Sequence, residues 1–227
     1  PMPDEFRGKY RGKGAGKKYF IEFEKIISKA KKANKKISAM IVEPIISCGG
    51  QIELPEKFLK KCKKILDREN ILLIVDEVQT GFGRVGEKFW GFQLHDVIPD
   101  IVTLGKPMGN GHPIGAVVCT AEISKKFDNG LEFFSSFGGN PVSCRIANEV
   151  ISEIDSRNLQ KNALKTGKYL ISELKKLAKK YSIIGNVRGR GLFIGLELVN
   201  QNLIPEMDKA IYLVNRMKEL GVLMSND

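Results

Sequence analysis

Ile71-Leu72-Leu73-Ile74-Val75-Asp76-Glu77-Val78-Gln79-Thr80-Gly81-Phe82-Gly83-Arg84 is the stretch whose reading decides the fold. An unbroken apolar run enters a carboxylate, and glycines then interrupt the chain. Such a run, bounded by turn residues, predicts a strand buried on both faces, as in parallel sheets. A shorter run, Ile101 to Leu104, ends in Gly105-Lys106-Pro107. Proline biases the residue before it toward extended backbone, so Lys106 is expected to prolong its strand. Working outward, Ile37–Val42 reads as a strand ending at Glu43-Pro44. A helix follows over Glu56–Arg68, with Pro55 in its first turn, where a missing backbone donor does no harm. Ile114–Thr120 reads as a further strand. Strands alternating with helices predict an α/β fold, in which ligands bind beyond the carboxyl ends of the strands. Glu43, Asp76 and Lys106 all stand at such ends.

Residues 1–18 are rich in glycine, arginine and lysine and read as an irregular entry loop. A helix is expected over Tyr19–Ala33, with Phe20, Phe23, Ile26 and Ile27 on one face. After Asn140-Pro141 the pattern changes. One long helix or a pair spans Val142–Lys180, and Ile183–Leu198 reads as two short strands around a glycine-rich turn. A helix over Glu206–Leu220 leads into Val222–Met224. A domain boundary is expected near Asn140, dividing the chain into 1–140 and 141–227.

The 227 residues, 42% hydrophobic and 28% charged, suffice for a sizeable core. No apolar stretch approaches the roughly 20 residues needed to cross a bilayer, so no membrane partner is expected. The start, Pro1-Met2-Pro3-Asp4, is unlike a signal peptide, and a cytoplasmic protein is the expectation. Cys48, Cys62, Cys119 and Cys144 are scattered and read as reduced thiols. With only His95 and His112 besides, no metal site is expected. The net charge of +11 concentrates in Lys29–Lys36, Lys57–Lys64 and Lys175–Lys180. These lysines alternate with apolar residues at helical spacing, and no stacking aromatics interleave them. They read as solvated helix faces, and a nucleic-acid partner is not expected.

A fixed acid and a fixed amine at the ends of neighbouring strands suit a pyridoxal phosphate (PLP) enzyme. The carboxylate would keep the pyridine nitrogen protonated, and the amine would hold the aldehyde as a Schiff base. An apolar run followed by Asp-Glu is also the pattern of an ATPase. That reading requires a Gly-x-x-x-x-Gly-Lys-Ser/Thr loop, and Gly8 to Lys18 has neither the spacing nor the hydroxyl.

The block Asp76-Glu77-Val78-Gln79-Thr80-Gly81, the downstream Lys106 and the segment Ser136-Phe137-Gly138-Gly139-Asn140-Pro141 resemble the class III aminotransferase family. The resemblance implies a PLP-dependent transferase of fold type I, aspartate aminotransferase-like. Residues 1–140 would be the C-terminal part of its large domain, with a mostly parallel sheet. Residues 141–227 would open its small α+β domain. It implies pyridoxal 5'-phosphate as cofactor and a small-molecule amine as substrate. By resemblance, Lys106 holds the cofactor and moves the substrate proton, and Asp76 pairs with the pyridinium. Val78 packs on the ring, Gln79 meets its 3-oxygen, and Glu43 lies near the substrate. Ser136 would reach the phosphate in a neighbouring subunit, implying a homodimer with shared sites. Asn140 is expected to cap, and Pro141 to open, a helix whose N-terminus favours an anion.

Ser47-Cys48-Gly49-Gly50-Gln51, Gly105 to Pro113, Asn140 to Cys144 and the entry loop Pro3 to Arg11 are similar to the ethanolamine-phosphate and phosphohydroxylysine phospho-lyase branch. Phe89 to Asp96 is similar to the alanine–glyoxylate type aminotransferases. These residues mostly build a cofactor site common to both chemistries, so transamination and phosphate elimination both stay open. So does a catalytically incompetent scaffold of the same fold. The family's small-residue phosphate loop, its ring-stacking aromatic residue and its substrate-binding arginine have no counterpart here. The chain is therefore expected to be a fragment of a longer enzyme, inactive by itself.

Overall fold

The computed structural model describes residues 1–226, so Asp227, the last residue of the expected second region, lies outside the described residues. Helix α1 (Ala15–Lys32) starts before the expected Tyr19, because Gly14 takes a left-handed conformation (φ 89°) that lets the helix begin at the buried Ala15. The entry loop before it is held in place. Tyr19 donates its hydroxyl to Asp4 O at 3.0 Å, and Tyr10 bonds Glu22 at 2.7 Å.

Strand β1 (Ala39–Val42) leads into a small hairpin of β2 (Ile45–Ile46) and β3 (Ile52–Glu53), which sequence reasoning did not foresee. Helix α2 (Phe58–Arg68) returns the chain to β4 (Leu72–Asp76). Strands β5 (Ile101–Leu104) and β6 (Ala116–Cys119) complete a sheet of order β1-β4-β5-β6. The first two pairings are parallel, and β6 runs antiparallel to β5. The chain between β5 and β6 is too short for a parallel crossover, which forces the reversal.

Burial of the sheet differs from expectation. Met40, Val42, Leu73 and Val75 face a core built with Leu59 and Leu66 of α2 and with Phe23 and Ile27 of α1. On the opposite face Ile41 is 64% exposed and Val117 67%. Continuous apolar strands suit cover on both faces, but α1 and α2 both pack on one. Strand β4 consequently alternates between fully and half buried positions although its sequence does not.

Helix α3 (Ala121–Phe127), also unforeseen, precedes an exposed segment. Two helices then follow, α4 (Pro141–Ser156) and α5 (Leu159–Lys180), broken where Asn158 turns left-handed at φ 53°. The antiparallel strands β7 (Ile184–Arg190) and β8 (Phe193–Leu198) join through Gly191, and α6 (Met207–Glu219) follows. Residues 222–226 form no strand. The β7–β8 turn is wedged against the loop after β4. Leu192 N donates to Arg84 O at 3.0 Å, and Gln160 of α5 reaches Gly86 O at 3.1 Å. Arg190 grips Glu53 at 2.6 Å and Glu87 at 3.0 Å. No helix among the described residues is long and apolar enough to cross a membrane.

Candidate active site

The parallel register pairs Val42 with Val75 and Asp76 with Thr103. It therefore sets Glu43, Asp76 and the chain entering Lys106 side by side at the carboxyl edge of the sheet. Asp76 Oδ1 accepts the Val78 N–H at 2.9 Å, which turns the chain sharply after β4. Asp76 Oδ2 has no hydrogen bond among the described residues, and neither Asp76 nor Lys106 forms an ion pair among them. Thr103, its neighbour on the same face, has a buried hydroxyl with no partner among the described residues.

Glu77, adjacent in sequence, has a different task. It is fully buried and accepts Thr80 Oγ1 at 2.8 Å, Gly91 N at 2.9 Å and Phe92 N at 2.7 Å. Burial pushes its carboxyl above the ordinary range, with the Asp76 charge adding, while these donors pull the other way. It fastens the loop over Gly91–His95 beneath the site. His95 Nε2 bonds Pro44 O at 2.9 Å on the other side of that loop.

Lys106 does not prolong its strand. Gly105 is extended (φ −171°), and Lys106–Met108 form a single 3-10 turn closed by Met108 N on Gly105 O at 2.8 Å. Pro107 fits because the first residues of such a turn have no internal use for their N–H groups. Lys106 is exposed, as the open face of the sheet allows. A Cβ on Gly105 would lie 3.4 Å from both methyls of Val78, an ordinary contact, so Val78 lines the floor beside Lys106.

Gln79 donates through Nε2 to Ser47 Oγ at 2.9 Å. Ser47 in turn bonds Glu43 through both its hydroxyl and its backbone N–H. Glu43 and Gln79 thus meet through a serine to which the sequence alone assigns no role. Ser136 is exposed and shares no hydrogen bond with Asp76, Gln79 or Lys106 among the described residues. Downstream, Asn140 caps α4 by accepting Ser143 N at 2.9 Å, and Pro141 occupies its first turn. His112 bonds Ser143 Oγ at 2.8 Å, tying the loop after Lys106 to that helix start.

The donor set suits an aromatic, cationic, carbonyl-bearing group. A carboxylate oxygen and an exposed amine without partners among the described residues, and the side chain of Val78, lie along one edge of the sheet. The profile of the family described as Aminotransferase class-III matches residues 1–226. A Drosophila melanogaster protein, alanine–glyoxylate aminotransferase 2-like, is 44% identical over the whole chain, which spans 48% of that protein. A phospholyase from Arthrobacter, solved in complex with phosphoethanolamine, superposes with a TM-score of 0.88 at 37% identity. The match covers 93% of this chain and 50% of that one. An amine transaminase from an uncultivated Pseudomonas species in its PLP-bound form gives 0.88 at 30% identity, over 98% and 53%. The chain thus spans about half the length of the relatives it matches.

Proposed function

The chain belongs to the class III aminotransferase family, whose members are pyridoxal phosphate enzymes of fold type I, and from that premise we propose that it carries the lysine-bearing half of such an active site. The observation that carries this reading is the convergence of Asp76, Val78, Gln79 and Lys106 at one sheet edge, with Asp76 Oδ2 and the Lys106 amine without partners among the described residues. Asp76 would hold a proton on the pyridine nitrogen, and Val78 would support the ring. Gln79 would meet the 3-oxygen, and Lys106 Nζ would hold the aldehyde. When bound, the cofactor supplies an electron sink for the carbanion left as a proton leaves the substrate carbon. Lys106, once free of the aldehyde, would take that proton and return it.

In our reading, residues 1–140 belong to the large domain and 141–227 open the small one. The remaining polypeptide of a longer enzyme would cover the open sheet face and complete the cofactor cup, so this stretch alone is inactive. Ser136, exposed and unlinked to Lys106 within one copy, fits a role at the phosphate of a second subunit in a homodimer. The free thiols at Cys48, Cys62, Cys119 and Cys144 suit a reducing compartment such as the cytoplasm.

Transamination of a primary amine is the first reading. Elimination of phosphate is the second, favoured by the similarity to the Arthrobacter phospholyase. The test is visible absorption of the full-length enzyme with PLP, in wild type and Lys106→Ala, followed by a phosphate assay with ethanolamine phosphate. A cofactor band near the visible edge that is lost in the variant supports Lys106. Phosphate release selects the lyase, and its absence with amino transfer to a keto acid selects the transaminase. A wild-type enzyme that takes up no PLP would refute the reading.

A further inference from the structure

Ser47 lies in the turn between β2 and β3, only 3% exposed, with its hydroxyl between two groups of the site. A serine hydroxyl has one proton and accepts through lone pairs. Glu43 is an acceptor when ionised, so the Ser47 proton goes to Glu43 Oε2, which also receives the Ser47 N–H at 3.1 Å. The remaining lone pairs face Gln79 Nε2 at 2.9 Å. The polarity of the chain is therefore set from the carboxylate outward. The amide nitrogen of Gln79 is turned to Ser47, and were the amide reversed, its oxygen would face a hydroxyl whose proton is already committed. Gln79 Oε1 has no partner among the described residues.

The turn that holds Ser47 is itself pinned. Gly50 N and Gln51 N both return to Ser47 O, at 2.9 and 3.2 Å. Arg188 of β7 donates from Nε to Gly50 O at 2.7 Å. Arg188 is in turn fixed by Glu197 of β8, which also binds Arg7 of the entry loop. Burial alone would raise the Glu197 carboxyl, but the two guanidiniums hold it below its ordinary value, so the clamp is charged at neutral pH. Ser47 is thus braced from both the sheet edge and the β7–β8 hairpin.

We propose that Ser47 is a positioning residue for the cofactor site, transmitting the hold of Glu43 to Gln79 and fixing that amide in one orientation toward the ring. The assignment rests on the PLP reading above. It moves Glu43 from the substrate side to the support of Gln79.

A double-mutant cycle tests it in the full-length enzyme, with Ser47→Ala, Gln79→Ala and the pair. PLP affinity is read by absorbance titration of the apoenzyme, together with the pH midpoint of the bound cofactor's colour change. Apoenzyme melting reports whether each variant folds. Ser47→Ala is expected to weaken PLP about fivefold, the loss of one hydrogen bond, and to move the pH midpoint. In the Gln79→Ala background the same change is expected to alter neither, because there is no amide left to hold. Glu43→Gln, at a half-buried residue, takes the place of Ser47→Ala should that variant fail to fold. Equal effects in both backgrounds would overturn the relay while leaving the cofactor reading intact. A wild-type enzyme with no cofactor band would overturn both.

Discussion

Replacing Gly167 by alanine opposes two effects of known size, and the structure decides which wins. Gly167 is inside α5, where alanine normally gains about 0.8–1 kcal/mol over glycine. Here the added Cβ would lie 1.8 Å from Gly191 O and 2.4 Å from Gly191 C, in the β7–β8 turn. Real contacts of this kind stay beyond 3.0 Å, so the turn must retreat by more than an ångström. It has nowhere to go. A Cβ on Gly191 itself would meet Arg84 O at 2.3 Å, and Leu192 N already bonds that oxygen at 3.0 Å. Forcing atoms into a packed contact costs about 1–3 kcal/mol, and a backbone neighbour on both sides puts this site at the upper end. The net loss is about 1–2 kcal/mol, or roughly 2–8 °C in melting temperature for a protein of this size. Thermal unfolding of the variant beside Thr166→Ala checks it. Thr166 is exposed one residue earlier in α5, and its replacement is expected to raise stability by a few tenths of a kcal/mol. A Gly167→Ala protein as stable as wild type would refute the description of α5 resting on the β7–β8 turn.

Burial holds His95 below its ordinary imidazole pKa, partly countered by its bond to Pro44 O. The folded state then binds fewer protons than the unfolded one, so stability is expected to fall as pH drops below about 6.5 and toward the folded value. Melting temperature from pH 7.5 to 5 is expected to show that slope, and His95→Phe to flatten it; an unchanged slope would count against His95 as its source. Asn140→Ala removes the cap of α4 and the bond from Asn140 Nδ2 to Phe137 O at 2.7 Å. It is expected to cost about 1 kcal/mol and to speed amide exchange in the segment carrying Ser136. Asn140→Asp keeps the acceptor and is expected to restore most of the lost stability, and equal losses in the two variants would exclude capping as the cause.

The strands of the four-stranded sheet were legible because each is an apolar run bounded by turn residues, a local property of the chain. The positions of Asp76 and Lys106 at the sheet edge were legible because each follows such a run, and a residue at the carboxyl end of a parallel strand has a predictable address. The cap at Asn140 was legible because capping is settled within one helical turn. The open face of the sheet was not. An apolar run states that cover is suitable, while the placement of α1 and α2 together on one face is a matter of packing between distant segments. The turn at Lys106 was misjudged because the bias before proline is weak beside a closed 3-10 hydrogen bond. Glu77 and Asp76 are adjacent carboxylates, and only the fold separates the buried fastener from the half-buried acid on the open face, since successive strand-end residues point to opposite sides. Ser47 could not be assigned from the chain alone. Its partners stand 4 and 32 residues away, and its brace comes from Arg188, 138 residues beyond Gly50. Sequence by itself determined where an acid and an amine stand at the carboxyl ends of neighbouring strands, because side-chain type and strand ends are local. Tertiary structure decided which groups hold them in place, because a hydrogen bond depends on distances of a few tenths of an ångström between segments that meet only after folding.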